Sequence, residues 1–245
     1  MKQSLFTMEH ARQLTADTYE LVLSGDTSAI TAPGQFVNIQ LPGKFLRRPI
    51  SICNWTKDAL LLLVRVVGEG THDLVRCVPG TELDVLSGLG NGFDLAKGGT
   101  HPILLGGGIG IAPLYGLAQR MLEAGIAPTV GLGFRSGGDA FYLEEFGKLG
   151  CRLMVATEDG SLGTKGFVTD LVRHVPECGY AFVCGPTPML KAVHGLPQLT
   201  GGQFSFEARM GCGFGACMGC SCKTKYGAKR ICKEGPVLKR EEIVW

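Results

Sequence analysis

The first part of the chain alternates hydrophobic and polar residues in short runs rather than in helical stripes. Turn signals, such as Ala32-Pro33-Gly34 and Pro79-Gly80, separate these runs. Short alternating runs bounded by glycine and proline are typical of β-strands, and strands without long helices between them favour an antiparallel barrel. The strands predicted from this pattern are Leu5–Gln13, Thr18–Ser24, Gln35–Leu41, Pro49–Asn54, Leu60–Val67 and Thr81–Leu86.

The pattern changes after Lys97-Gly98-Gly99, where short apolar segments begin to alternate with helical segments. Such alternation indicates a parallel, doubly wound sheet. The predicted strands are His101–Leu105, Pro128–Phe134, Arg152–Ala156 and Ala181–Cys184, and the predicted helices are Leu114–Glu123, Ala140–Lys148, Thr169–Val175 and Met189–Val193. We therefore expect an α+β multi-domain protein, with a β-barrel domain over 1–97, an α/β domain over 98–202 and a small cysteine-rich domain over 203–245.

Composition narrows the class of protein. The 245 residues are 45% hydrophobic and carry a formal charge of +2, as in an ordinary globular protein. Basic residues are scattered rather than gathered in a stripe, so we expect no nucleic-acid partner. The longest apolar run, Ala59–Val64, is far shorter than the ~20 residues that a bilayer requires. Because the N-terminus lacks the apolar core of a signal peptide, we expect a cytoplasmic protein with reduced thiols and no membrane attachment.

The most specific motif is the cysteine spacing near the C-terminus. It reads Cys212-x4-Cys217-x2-Cys220-x11-Cys232, the order in which plant-type [2Fe-2S] clusters collect their thiolates. Glycines between the cysteines can bring backbone N–H groups close to the sulfurs. The Cys217-x2-Cys220 pair is also zinc spacing, although the second separated pair of a typical zinc site is missing. Cys222 is a surplus thiol, and the choice between Cys220 and Cys222 as third ligand stays open.

Two segments of the barrel half have the chemistry of an anion site. Arg47-Arg48-Pro49-Ile50-Ser51 places two guanidiniums and a hydroxyl at the start of a strand. Leu63-Val64-Arg65 leads into a glycine-rich turn that ends in Gly70-Thr71. Arginine offers two parallel donors to phosphate, and a Gly-Thr turn adds N–H and hydroxyl donors. Each arginine alone is typical of a solvated surface, but together these segments indicate a pyrophosphate clamp.

The α/β half carries a glycine-rich loop between a strand and a helix. The loop Gly106-Gly107-Gly108-Ile109-Gly110 continues to Ile111, where the dinucleotide fingerprint requires a third glycine. Pro113 stands at the helix start, where its missing N–H costs nothing. The free N–H groups of that helix would face a pyrophosphate. Cys184-Gly185-Pro186-Thr187-Pro188-Met189 is, by itself, an apolar strand that ends in a Gly-Pro turn.

The barrel motif resembles the flavin signature of the ferredoxin reductase superfamily. The resemblance implies that Ser51 lies near flavin N5 and acts in catalysis with Cys184, because Cys184–Met189 resembles the segment beside the nicotinamide. The implied FAD contacts are Arg48, Pro49, Ile50, Ser51, Leu63, Val64, Arg65, Gly70 and Thr71. The implied nicotinamide-nucleotide contacts are Gly107, Gly108, Gly110, Pro113, Glu158, Asp159, Cys184, Gly185, Pro186 and Met189. Glu158 and Asp159 favour NAD. Arg135 can bind the 2′-phosphate of NADP, so NADP stays an alternative.

The order of the motifs is similar to that in the electron-transfer subunits of dihydroorotate dehydrogenase B. The resemblance covers nearly the whole chain and implies that Cys212, Cys217, Cys220 and Cys232 bind the cluster. It further implies an FMN-containing catalytic partner that oxidises dihydroorotate in pyrimidine biosynthesis, two copies of each subunit in a heterotetramer, and electron flow through [2Fe-2S] and FAD to NAD⁺. The chain departs from the family in a short gap before the fourth cysteine.

The resemblance leaves some alternatives open. The same domains occur in the flavoprotein subunit of a soluble hydrogenase and in a ferredoxin:NADP⁺ transhydrogenase, which have other partners. A zinc-stapled interaction module without redox activity is a further alternative. Three apolar residues of the cysteine-rich end, Met210, Phe214 and Met218, either contact the partner or pack over the metal.

Overall fold

The computed structural model describes residues 1–245 and begins with a closed antiparallel barrel, which confirms the prediction from alternation. Its six strands are ordered β1-β2-β5-β4-β3-β6 around the barrel. Alternate side chains fill the interior, so that Val37 and Ile39 of β3 belong to the barrel core. The elements are β1 Lys2–Gln13, β2 Thr18–Gly25, β3 Phe36–Ile39, β4 Arg48–Trp55, β5 Ala59–Arg65, helix α1 Glu69–Val75 and β6 Glu82–Leu89.

The second half is the predicted doubly wound α/β unit. Its parallel strands are ordered β10-β9-β8-β7-β11-β12, so the winding direction reverses between β7 and β11. None of its helices has the length and hydrophobicity that a bilayer crossing demands. The elements are β7 Ile103–Gly107, α2 Ala112–Glu123, β8 Thr129–Phe134, α3 Leu143–Lys148, β9 Arg152–Thr157, β10 Thr164–Lys165, α4 Val168–Val172, β11 Tyr180–Cys184, α5 Thr187–His194 and β12 Gly201–Ser205.

The cysteine-rich end is attached to the α/β sheet by its own strand. It contains β13 Ser221–Thr224 and β14 Gly227–Arg230, which form a hairpin, and β15 Val237–Lys239. Strand β15 pairs antiparallel with β12 and becomes the edge of the seven-stranded sheet. The boundary predicted between residues 202 and 203 therefore falls inside β12. The pattern did not reveal β12, because two of its five residues are glycine.

Helix α2 fixes the barrel against the α/β unit. The Arg120 guanidinium lies 3.4 Å from the centre of the Trp55 ring of β4, and it also donates to the Asn54 Oδ1 at 2.9 Å. The Asn54 amide donates in turn to Gln119 at 2.7 Å. Hydrogen bonds and a cation–π contact thus join strand β4 directly to the nucleotide half.

A buried carboxylate makes a second connection between the two halves. Glu20 of β2 is only 8% exposed, and Arg12 binds it with two N–O distances of 3.0 Å. The Tyr142 hydroxyl, from the start of α3, donates to the same carboxylate at 2.5 Å. Burial would raise the pKa of Glu20, but the hydrogen bonds from Arg12 and Tyr142 outweigh it and lower the pKa. The folded protein therefore favours the ionised form.

We expect Tyr142→Phe to lower the free energy of unfolding by about 1.5–3 kcal/mol, the usual contribution of a hydrogen bond to a charged group. Because the pKa of Glu20 is lower in the folded state than its unfolded value of 4.5, this contribution is present above pH 4.5. It is lost as the pH falls through the folded-state pKa. Chemical denaturation of both proteins at several pH values measures the difference.

The control is Lys148→Ala, which removes an exposed ion pair with Glu144 and is expected to change the stability very little. A Tyr142→Phe effect that persisted unchanged at the lowest pH at which the protein stays folded would contradict the assignment to the Glu20 carboxylate.

Candidate functional site

The four cysteines predicted as cluster ligands lie around a loop that the β13–β14 hairpin closes. Cys220 immediately precedes β13, and Cys232 follows shortly after β14. Because Ser221 pairs with Arg230 across the hairpin, the two cysteines emerge side by side. The Cys232 N–H points at the Cys220 Sγ, with an N–S distance of 3.4 Å. The short gap between the third and fourth cysteines is therefore this hairpin.

Backbone N–H groups point at the sulfurs of the loop. The Cys212 Sγ accepts the N–H of Ala216 at 3.2 Å and that of Cys217 at 3.4 Å. The Cys217 Sγ accepts the N–H of Gly219 at 3.5 Å. Gly213 has a φ of +79°, as expected for a glycine that folds the loop around its thiols. Donors of this kind stabilise thiolates and tune the potential of an iron–sulfur cluster.

Backbone contacts group the cysteines in two pairs, because the Cys217 N–H points at the Cys212 Sγ and the Cys232 N–H points at the Cys220 Sγ. Burial would raise the pKa of Cys212, but the backbone N–H groups and the Cys217 thiol outweigh it and lower the pKa to about 6. Burial, followed by the neighbouring Cys220 thiol, raises the pKa of Cys232 to about 12. The backbone donors thus favour the Cys212 thiolate, whereas burial disfavours the Cys232 thiolate until a cation binds beside it.

These donors fit a two-iron cluster better than a single zinc ion. A [2Fe-2S] cluster has four thiolate ligands on its two irons, and the structure supplies two pairs. A typical structural zinc site has two separated Cys-x2-Cys pairs, whereas this end of the chain has one, Cys217-x2-Cys220. Cys222 lies within β13 opposite Lys229, and the Cys232 N–H points at the sulfur of Cys220.

The Arg-Pro-Ile-Ser segment lies in β4 on the barrel wall. Ile50 packs against the barrel core, so Pro49 and Ser51 face outwards because side chains alternate along a strand. Across the sheet, Pro49 is opposite Asn38, and Ser51 is opposite Phe36. Ser51 is exposed. The predicted flavin segment therefore presents Pro49 and Ser51 on one outer face.

The glycine–threonine turn lies against Arg48, so the two segments of the predicted clamp are neighbours. A Cβ at Gly70 would come within 1.9 Å of the Arg48 Nε, so only glycine leaves room for this guanidinium. The Thr71 hydroxyl is used within its own turn, where it accepts backbone N–H groups at 2.9 and 3.2 Å. Leu63 and Val64 are buried, so they can meet a ligand only through their backbone.

A cavity of about 500 Å³ opens at the carboxyl end of the parallel sheet, where doubly wound sheets bind their ligands. Two segments far apart in sequence meet there. A Cβ on Gly107 would lie 2.4 Å from the Met189 Sδ, and one on Gly110 would lie 2.5 Å from the Cys184 carbonyl oxygen. Larger residues would separate the two segments. The predicted residues that line the cavity are Gly107, Gly108, Glu158, Pro186 and Met189.

Other predicted residues support this wall from behind. Pro113 is buried in the first turn of α2. A Cβ on Gly185 would lie 2.8 Å from the Met189 Sδ. Cys184 is buried at the end of β11, and burial, followed by the charge of Glu207, raises its pKa to about 12. The Cys184 thiol is therefore neutral at physiological pH.

Only one residue of the predicted acidic pair lines the cavity. Glu158 lies on its wall, whereas Asp159 accepts the Ser161 N–H at 2.9 Å and the Ser161 hydroxyl at 2.6 Å. Those hydrogen bonds lower the pKa of Asp159 and hold its own turn. Arg135 and Asp139 also line the cavity. The wall thus offers carboxylates that suit ribose hydroxyls and a guanidinium that suits phosphate.

The other arginines of the predicted clamp have carboxylate partners. Arg47 binds Asp84 with N–O distances of 2.8 and 3.1 Å, a contact within the barrel. The Arg65 Nε donates to Asp17 at 2.7 Å, and both residues line the nucleotide cavity. Arg65 therefore lies at the cavity, and its contact with FAD stays a prediction.

Sequence reasoning missed several residues of the site. Asp17 and Thr18 reach the cavity from the barrel, and Phe167 lies at its wall with an exposed ring. Glu207 is an exposed residue whose charge acts on Cys184, and desolvation on its inner side raises its pKa. No local pattern marks these positions, because the packing of barrel on sheet brings them there.

Comparison with known proteins agrees with this arrangement. The profile described as the iron-sulfur cluster binding domain of dihydroorotate dehydrogenase B matches residues 207–244, and that of the oxidoreductase NAD-binding domain matches residues 104–195. A chain from the NADH-dependent reduced ferredoxin-NADP oxidoreductase is 29% identical, with a TM-score of 0.89 over 98% of this chain and 90% of that one. A cytochrome P450 reductase from Amycolatopsis is 26% identical, with a TM-score of 0.69 over 78% of this chain and 64% of the other.

Curated relatives match over the full length. The dihydroorotate dehydrogenase B (NAD(+)) electron transfer subunit of Geobacillus sp. (strain WCH70) is 41% identical, covering 100% of this chain and 99% of the relative. The subunit of the same name from Listeria monocytogenes (strain F2365) is 39% identical over 99% of both. The matches confirm the predicted order of a reductase barrel, an NAD-binding unit and an iron–sulfur end, and with it the cofactors FAD, NAD and [2Fe-2S]. The chain belongs to the family of dihydroorotate dehydrogenase B (NAD(+)) electron transfer subunits.

Proposed function

We propose that this chain carries electrons to NAD⁺ from a partner subunit that contains FMN and oxidises dihydroorotate. FAD and [2Fe-2S], when bound, interconvert two-electron hydride transfer and single-electron transfer. One observation carries the proposal: three neighbouring barrel strands, β5, β4 and β3, connect the three predicted sites. Arg65 of β5 lines the nucleotide cavity, β4 carries the flavin segment, and Asn38 of β3 bonds to the cysteine loop.

The residues of the three sites take distinct roles in this proposal. The cluster is held by Cys212, Cys217, Cys220 and Cys232. FAD lies against the outer face of β4 and the turn at Gly70, where Arg48 binds its pyrophosphate and Ser51 faces its ring. The nicotinamide nucleotide occupies the cavity between Gly107, Glu158 and Met189, with Cys184 and Gly110 behind it. Domains over 1–97, 98–202 and 203–245 remain the proposed division, with β12 shared between the last two.

The cysteine loop is the proposed docking site of the catalytic subunit. Phe214 is 44% exposed and Met218 is 56% exposed, although both are apolar. Met218 also has a φ of +61°, a conformation that costs a non-glycine residue free energy and persists where the surroundings enforce it. Met210 instead packs against the core. We propose a cytoplasmic heterotetramer with two copies of each subunit.

A second candidate function follows from the ferredoxin-NADP oxidoreductase chain of similar structure. A subunit of that type would deliver electrons to a larger iron–sulfur protein. Purification of the native complex separates the two functions. A partner that contains FMN and oxidises dihydroorotate supports the proposal, and a larger iron–sulfur partner without that activity contradicts it.

Cys217→Ser tests the assignment of the cluster ligands. Because each iron needs its thiolates, we expect the variant to lose most of its iron and acid-labile sulfide and all electron flow from the partner. NADH-to-dye activity through FAD should remain, since Cys217 is exposed and lies in neither the flavin segment nor the cavity wall. Iron analysis and the two activity assays measure the outcome. The matched control is Cys222→Ser, which should keep the cluster; equal loss in both variants would contradict the pairing of Cys220 with Cys232.

Arg65→Ala tests the assignment of the cavity. Loss of a charged hydrogen bond to the nucleotide should raise the KM for NADH about tenfold, while the FAD content stays that of the parent protein. Steady-state kinetics and flavin extraction measure the two quantities. Arg47→Ala is the control, because Arg47 binds Asp84 within the barrel and should not affect the KM. Loss of FAD with an unchanged KM for NADH would instead show that Arg65 binds FAD.

Phe214→Ser tests the docking face. Removal of an exposed aromatic anchor from an interface should weaken binding of the catalytic subunit about tenfold or more, without loss of the cluster absorption spectrum. Titration of one subunit with the other measures the affinity. Tyr226→Ser provides a control, because Tyr226 is also an exposed aromatic residue but lies at the hairpin turn. Equal weakening by both substitutions would argue against the loop as the contact.

A further inference from the structure

We propose that Asn38 is a positioning residue that fixes the first cluster ligand, Cys212, against the flavin strand and so sets the electron transfer between FAD and the cluster. This inference rests on the proposed function. It starts from the outer face of β3, which carries Phe36 and Asn38, because Val37 and Ile39 face the barrel core. Phe36 packs in the same core cluster as Cys220 and Cys232.

Asn38 makes a direct hydrogen bond to the cysteine loop. Its side-chain Nδ2 donates to the Cys212 carbonyl oxygen at 3.2 Å. Rotating the carboxamide would place two acceptors against each other, so the bond defines its orientation. Gly213 completes the contact, because a Cβ there would lie only 2.3 Å from the Asn38 Nδ2. The loop and the carboxamide therefore fit closely, with glycine leaving the room that the donor needs.

The same side chain lies directly beside the flavin segment. Asn38 is paired with Pro49 across β3 and β4, and side chains of such cross-strand pairs are in reach of each other. Asn38 is thus the residue of β3 that touches both the backbone of a cluster ligand and the strand proposed to carry FAD. A shift of this carboxamide would change the separation of the two redox groups.

The stability of the fold does not explain why a buried asparagine stands at position 38. It is 1% exposed, and its Oδ1 is buried without a hydrogen-bond donor. A buried acceptor without a partner destabilises a fold, and an apolar residue of the same shape avoids that cost. The donor half of the carboxamide is used at Cys212. We therefore assign the residue to the position of the cluster loop rather than to the stability of the barrel.

The step that the Asn38–Cys212 contact affects is electron transfer between FAD and the cluster. NADH delivers two electrons and one proton as hydride to bound FAD. With both groups bound, FAD would pass the electrons on one at a time. The cluster would take one electron, reducing one of its two ferric ions, and would hand it to the acceptor of the partner subunit before taking the second, with the proton released to solvent. The reverse sequence operates when the partner subunit is the electron source. Every transfer between FAD and the cluster crosses the β4–β3 face beside Asn38.

The test uses Asn38→Leu, which keeps the branching at Cγ but removes the donor, in the anaerobically purified subunit with its FAD and cluster. NADH should reduce FAD at the parent rate, whereas reduction of the cluster in a stopped-flow experiment should slow roughly tenfold, as for loss of other outer contacts of metal ligands. The EPR spectrum and the midpoint potential of the reduced cluster should also shift. The matched control is Gln35→Leu, because the Gln35 carboxamide is buried but bonds to barrel loops through Thr31 and Gly90.

Each outcome decides between the two roles. Altered cluster kinetics and EPR spectrum in Asn38→Leu, with Gln35→Leu like the parent in both, support the positioning role. Lower thermal stability with an unchanged spectrum and rate would overturn it. If Asn38→Leu does not accumulate, Asn38→Ser is judged by the same criteria. A parent protein without iron and sulfide would refute the proposed function itself, whereas a loaded parent with unaffected Asn38 variants would refute this inference alone.

Discussion

The structure depends on holding four thiols together in a small loop, because thiolates repel one another until a cation neutralises them. The chain meets this constraint with backbone geometry. The β13–β14 hairpin brings Cys220 and Cys232 side by side, and backbone N–H groups converge on the Cys212 sulfur. The loop has little apolar area of its own, so its ends are anchored in the α/β sheet through β12 and β15. The nucleotide-binding unit therefore stabilises the metal site.

Adjacency of strands explains how one small chain can connect three cofactors. In the closed barrel, β4 has β5 on one side and β3 on the other. The first neighbour reaches the nucleotide cavity through Arg65, and the second reaches the cluster loop through Asn38. Strands in a sheet are only ≈ 4.8 Å apart, so the three sites must lie close to one another. Helix α2 and the Glu20–Tyr142 contact hold this relation by fixing the barrel against the sheet.

Local patterns predicted the elements well, because alternation and glycine placement are local consequences of burial and turn geometry. All six barrel strands and the strand–helix alternation are confirmed. Long-range packing was not visible. Strand β12 is too rich in glycine to show a strand pattern. Arg65 lies at the end of its strand, where its side chain can reach either the predicted flavin clamp or the cavity. Asn38 carries no motif, since its importance comes from a loop 174 residues away.

The most direct measurement is the cofactor content of the protein purified or reconstituted without oxygen. The account predicts equal amounts of iron and acid-labile sulfide, about two of each per chain, together with about one FAD released by denaturation. It also predicts that NADH bleaches both the flavin and the cluster absorption. A colourless protein that contains zinc, or one that holds flavin but never iron and sulfide, would contradict it.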